Sequence, residues 1–181
     1  LSLPGQPGQL MGPDEAYVIG SLVPFARSLT NVSGAHRLPG SNPSDPGFCS
    51  QIDLSFNLMC GMDKEYTFVG IKPLLLALID STALQYLDLY QNNIRAEGAE
   101  VIAVALLINT SLTSLNLGDN AISGGAIAIA QSLRRNASLT LLNVSSNSIA
   151  YDAGIALTQA FGNSKSLVNL NLRLNFKQNA S

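Results

Sequence analysis

The chain has 181 residues, 46% of them hydrophobic, which is enough apolar material for one continuous core. Only 12% are Asp, Glu, Lys or Arg, about half the usual share for a soluble domain, and the net charge is −2. With Arg134 and Arg135 as the single adjacent basic pair there is no basic stripe, so nucleic acid is not expected as a partner. The longest apolar run, Val101 to Ile108, has eight residues, so no transmembrane segment is expected either.

Residues 1–48 differ in kind from the rest. "LSLPGQPGQLMG" reads as an extended arm. "PDEAYVIGSLVPFARSL", Pro13 to Leu29, has helical apolar spacing after a Pro-Asp-Glu start, and Pro24 bends or ends it. Its Ala16 and Ile19 match the pattern of later helices, as in a decayed repeat. "SGAHRLPGSNPSDPG", Ser33 to Gly47, is an exposed loop by composition.

From residue 49 to 181 the chain repeats itself. "SLTSLNLGDNAISGGAIAIAQSLRRN" is followed by "SLTLLNVSSNSIAYDAGIALTQAFGN", so Leu112, Leu115, Leu117, Asn120 and Ile122 return 27 residues later as Leu139, Leu142, Val144, Asn147 and Ile149. Leu84, Leu87, Leu89, Asn92 and Ile94 precede by 28, and Leu167, Leu170, Leu172 and Asn175 follow by 28. A degenerate copy, Cys49, Ile52, Leu54, Asn57 and Met59, lies 35 residues before the Leu84 copy. The extra length falls between Met59 and Gly70, and the deletion between Ile122 and Gly125, where a connection can absorb it.

Each copy has two halves. The first alternates apolar and polar around Leu-x-Leu, the period of a short strand of about five residues. The second is helical: Ala99, Ile102, Ala103 and Leu106 match Ala126, Ile129, Ala130 and Leu133, then Gly154, Leu157, Thr158 and Phe161, and before them Ile71, Leu74, Leu75 and Leu78. One strand and one helix enclose almost nothing, so the units must stack. A recurring Asn supplies donors and an acceptor for a bent connection, and Asn57, Asn92, Asn120, Asn147 and Asn175 are expected to form a structural ladder along the stack.

The units "ALQYLDLYQNNIRAEGAEVIAVALLIN" and "SLTSLNLGDNAISGGAIAIAQSLRRN" resemble leucine-rich repeats of the ribonuclease-inhibitor type, a family that includes Nod-like receptors and Ran GTPase-activating protein. The resemblance covers residues 49–181. It implies an α/β solenoid, a curved horseshoe arc of about five repeats with parallel strands on the concave side and helices on the convex side. It also implies protein binding, here by a non-enzymatic scaffold or accessory subunit of a larger, stable multi-protein complex. The same resemblance leaves two alternatives: a GTPase activator of the Ran type, whose usual acidic tail is absent from these residues, or the repeat region of an innate-immune-like receptor. The low charge fits a surface covered by other subunits, or one whose polarity comes from Ser, Asn and Gln. The Leu at position 1, and a last repeat with no polar capping unit, read as marks of a processed chain or a fragment.

Strand alternation puts Tyr86, Asp88 and Tyr90 on the concave wall, with Asn116, Asn143, Asn171 and Arg173 in later copies, and these are the candidate partner-binding residues. Tyr86, Tyr90 and Arg173 rank first, because Tyr and Arg are enriched at interface hot spots. No catalytic constellation, cofactor or metal site is expected, since the single histidine, His36, stands in the loop without a patterned nucleophile or carboxylate. Cys49 fills a slot held elsewhere by Leu, and a Cys49–Cys60 disulfide stays open. Five Asn-x-Ser sequons, at Asn31, Asn109, Asn136, Asn143 and Asn179, would suit a secreted glycoprotein. Two cysteines and the copying of Asn109 as Asn136 favour an intracellular location instead.

Overall fold

The computed structural model describes residues 51–56, 60, 71–82 and 84–175. The expectations for residues 1–48, for Cys49, Asn57 and Met59, and for the sequons at Asn31 and Asn179 fall outside them. Among the described residues five strands alternate with four helices: β1 Gln51–Asp53, α1 Lys72–Asp80, β2 Tyr86–Asp88, α2 Arg95–Ile108, β3 Ser114–Asn116, α3 Ala126–Leu133, β4 Leu141–Asn143, α4 Tyr151–Asn163 and β5 Asn169–Asn171. The sheet is parallel throughout in the order β1-β2-β3-β4-β5, so each helix is a crossover between neighbours. This is an α/β repeat solenoid, with the strands on one side and the helices on the other.

Register follows the repeat. Ile52, Leu87, Leu115, Leu142 and Leu170 are consecutive partners across the sheet. The strands are three residues long, shorter than the alternation suggests, because the chain turns sharply after them. Gln91, Asp119, Ser146 and Leu174, at one repeat position, have φ of 54°, 54°, 57° and 61°, and Phe56 of the first unit has 60°. Asn93, Ala121 and Ser148, two residues on, have φ of 54°, 56° and 53°. A left-handed non-glycine residue costs roughly 1–2 kcal/mol, so this repeated pair of turns persists only because something else fixes it.

The buried asparagines are that something. Asn120 Nδ2 donates to Leu89 O at 2.8 Å and Gly118 O at 3.0 Å, while its Oδ1 accepts from the backbone N–H of Asn92 at 2.7 Å and of Ile94 at 3.4 Å. Asn147 does the same one unit on, reaching Leu117 O and the Asn120 and Ile122 N–H groups, and Asn175 reaches Val144 O and the Asn147 and Ile149 N–H groups. Asn92 donates to Leu54 O at 2.8 Å. Each amide therefore satisfies backbone groups of the unit before it as well as of its own turn.

A second column joins helix ends to the strands that follow. Asn109 Oδ1 accepts from Leu112 N at 2.7 Å and Asn136 Oδ1 from Leu139 N at 2.8 Å. Their Nδ2 groups donate to Leu78 O at 2.7 Å and Leu106 O at 2.8 Å, the last turn of the preceding helix. Ser81 and Ser164 hold the same position in the flanking units and accept from Leu84 N and Leu167 N.

Between strands and helices lies one apolar core. Leu84, Leu87, Leu89, Ile94, Ile102 and Leu106 are fully buried in one unit, and Leu112, Leu115, Leu117, Ile122, Ile129 and Leu133 in the next. Burying such a side chain contributes about 1.5–3 kcal/mol, so stacking, and not any single unit, holds the fold. The shortened unit takes a 3-10 turn at Ser123–Gly125 before its helix. A Cβ on Gly125 would come within 2.5 Å of Ala96 O, so a larger residue there would force the neighbouring helices apart.

The last helix departs from expectation. α4 buries Ala153, Gly154, Leu157 and Ala160, whereas Thr158 is exposed and Phe161 is 38% exposed. Their equivalents Ala130 and Leu133 are buried, on a helix that packs against the one that follows. Among the described residues no helix follows α4 to cover this side.

Candidate functional site

In β1 to β4 the central residue is buried and its neighbours are not, so the residues on either side of it form a wall on the open face of the sheet. Tyr86, Asp88 and Tyr90 come together there, half-buried. Asn116, Asn143 and Asn171 lie in register with Asp88, and Asp53 completes the row on β1. Arg173 is exposed at the opposite end of the wall.

This row is a third hydrogen-bonded column, running over the surface. Asn143 Nδ2 donates to Asn116 Oδ1 at 2.8 Å, Asn116 Nδ2 donates to Asp88 Oδ2 at 3.0 Å, and the Tyr86 hydroxyl donates to the same Asp88 oxygen at 3.0 Å. Each side-chain oxygen also accepts the backbone N–H two residues on: Ser55 N to Asp53 and Tyr90 N to Asp88 at 2.9 Å, Gly118 N to Asn116 and Ser145 N to Asn143 at 3.0 Å, and Arg173 N to Asn171 at 3.1 Å. The amides of Asn116 and Asn143 are thus engaged within the wall, where they end the strands and stiffen the surface.

Aromatic rings gather at the β1–β2 end. Phe56 meets Tyr90 edge to face, with centroids 5.2 Å apart, and Phe56 is 54% exposed. On its other side the Tyr90 ring lies over Gly118, where an added Cβ would stand 2.9 Å from Tyr90 Cδ2. Strand alternation missed Phe56, because its left-handed backbone takes it off the alternating pattern. Partial burial, the bond to Asp88 and the charges of Asp88 and Asp53 together push the Tyr86 phenol up to about 12.

Elsewhere the chemistry is muted. Cys60 is a buried free thiol, and burial raises it to about 12 although the Arg95 charge pulls the other way. Among the described residues no group of three or more His, Cys, Asp or Glu side chains converges as for a metal, and no helix is long and apolar enough to cross a membrane. Exposed Leu76, Val104, Leu107 and Ile108 on α1 and α2 add apolar surface to the helix side.

A family model described as Leucine Rich repeat matches residues 80–103, 109–130 and 135–157. The solved structure of leiomodin-1 actin-binding site 2 superposes with a TM-score of 0.60 at 23% identity, over 72% of this chain and 72% of that one. The tropomodulin C-terminal domain of Caenorhabditis elegans superposes with a TM-score of 0.60 at 14% identity, over 90% of this chain and 84% of that one. At such identities the likeness is one of fold. No curated protein sequence matches the chain.

Proposed function

The chain is a leucine-rich-repeat protein of the ribonuclease-inhibitor-like type, and from that premise we infer that it works by binding another protein along the strand face, as a scaffold or accessory subunit and not as an enzyme. Solenoids of this class use their extended concave surface for binding. The observation that carries the reading is the wall itself: Tyr86, Asp88 and Tyr90 are held in place by the Asn116–Asn143 column and by Phe56 and Gly118. Side chains fixed before the encounter lose little rotamer freedom on binding, which is what makes a rigid aromatic and polar surface an effective contact. Incorporation in a stable assembly also accounts for a chain with only 12% charged residues.

The test is native affinity purification, then size-exclusion chromatography and mass spectrometry of the co-eluting proteins. A large, salt-resistant complex that loses its partner when Tyr86 and Tyr90 are both replaced by Ala supports the reading, provided the variant keeps its thermal midpoint. Elution alone near 19 kDa removes the stable-subunit role. Unchanged capture by the double variant removes the concave face. Purified actin belongs among the defined partners tested, because a structural neighbour is named for binding it.

A further inference from the structure

The wall is uneven in charge. Asp53 and Asp88 stand in register on β1 and β2, while the same position on the next three strands is Asn116, Asn143 and Asn171. Among the described wall positions the one cation is Arg173, at the far end on the turn after β5. The three donors to the Asp88 carboxylate among the described residues, the Tyr86 hydroxyl, the Asn116 amide and the Tyr90 N–H, are all neutral. They hold the charge in place without cancelling it. Burial and the Asp88 bond raise the Tyr86 phenol most, and the Asp88 and Asp53 charges add to the rise.

Beside this charge stand three rings. Tyr86 is pinned to Asp88 by its hydroxyl, Tyr90 is held between Phe56 and Gly118, and Phe56 itself is largely open. An aromatic face attracts a cation through its quadrupole, and a nearby carboxylate strengthens that attraction. An apolar occupant would desolvate Asp88 with no compensating charge, and an acidic one would be repelled. Building on the concave-face reading, we propose that the β1–β2 end of the wall receives a basic side chain of the partner protein, an Arg or Lys whose cation lies against Tyr86, Tyr90 and Phe56 beside Asp53 and Asp88.

The test titrates the 181-residue chain with a nine-residue peptide alternating arginine and alanine, and with its glutamate counterpart, by calorimetry at two salt concentrations. Asp53→Asn removes one charge while installing the residue type that three strands already carry there, and Asp152→Asn removes a charge from the exposed surface of α4 as a control. The arginine peptide should bind, more weakly at high salt, and the glutamate peptide should not. Tyr90→Ala and Asp53→Asn should each weaken binding by about three- to thirtyfold, with Asp152→Asn within about twofold. Equal loss in the two Asn variants would mean attraction to overall charge and would overturn the proposal, as would equal binding of both peptides. If an Arg173→Ala or Leu141→Ala variant loses the native partner while the arginine peptide is ignored, protein binding by the concave wall stands and the basic-side-chain proposal falls.

Discussion

Asn147 Oδ1 accepts the backbone N–H of Asn120 at 2.8 Å, while its Nδ2 donates to Leu117 O at 2.7 Å. One side chain thereby closes backbone groups of the preceding unit that no strand or helix satisfies. Asn147→Ala would leave the Asn120 and Ile122 N–H groups and the Leu117 C=O short of a partner in a buried place, while Ser145 O would keep the Asp119 N–H. The expected loss is roughly 2–5 kcal/mol, against at most about 1 kcal/mol for Asn143→Ala on the half-exposed wall. Urea unfolding of the two variants side by side checks the order, and equal midpoints would show that water can replace the buried amide.

The helix-end column bears on the sequons. Asn109 and Asn136 are 3% and 7% exposed, and each donates its Nδ2 to main-chain oxygens of the preceding unit. A glycan on that nitrogen would break these bonds and has no room, so folded protein should carry none at either site. Expression through a secretory host, followed by peptide mapping of the monomeric fraction, makes the comparison. Occupied Asn109 or Asn136 in folded material would contradict the placement of this column.

Tyr86 gives a titration with a definite sign. Its phenol rises from 10.0 to about 12. The folded state therefore holds the proton more tightly than the unfolded chain. The associated stability is fully present below pH 10 and is lost as pH climbs toward 12. NMR-detected titration should show Tyr86 ionising above the ordinary tyrosine range. Asp53→Asn should lower the Tyr86 midpoint without returning it to 10, because burial and the Asp88 bond are the larger causes. A midpoint unmoved by that substitution would place the Asp53 charge farther from the ring than the β1–β2 register implies.

Much of this architecture is legible in the residue pattern. The Leu87, Leu115 and Leu142 spacing carries both the repeat and the sheet register, since stacking requires one apolar residue per unit at a fixed place. The wall column was harder to see. Asp88, Asn116 and Asn143 look like ordinary outward strand residues, and only the cross-strand distances reveal that their amides and carboxylate bind one another. The paired left-handed turns left no compositional trace, because Gln91, Asp119, Ser146 and Leu174 share no type and none is Gly. Their conformation is imposed by the ladder asparagine between them. Thr158 and Phe161 were read as core by analogy with Ala130 and Leu133, an analogy that assumes a neighbour on both sides.

Gly118 sets the posture of Tyr90 and so offers a way to move the ring without deleting it. The equivalent wall positions in other units are Ser55, Tyr90, Ser145 and Arg173, so the backbone there accepts a side chain. Gly118 lies outside the left-handed residues, and the obstacle to a Cβ is the ring at 2.9 Å and Asn143 Nδ2 at 3.2 Å. Gly118→Ala should cost little stability, within about 1 kcal/mol, because the phenol ring can swing aside where backbone could not. Moving the ring disturbs the 5.2 Å contact with Phe56, which ring-current shifts of the Phe56 protons would register. If the concave wall binds its partner through a prearranged Tyr90, Gly118→Ala should weaken capture by about threefold or more while leaving the thermal midpoint nearly unchanged. A variant that shifts the Phe56 signals yet binds as tightly as the parent would show that the partner does not read the Tyr90 ring.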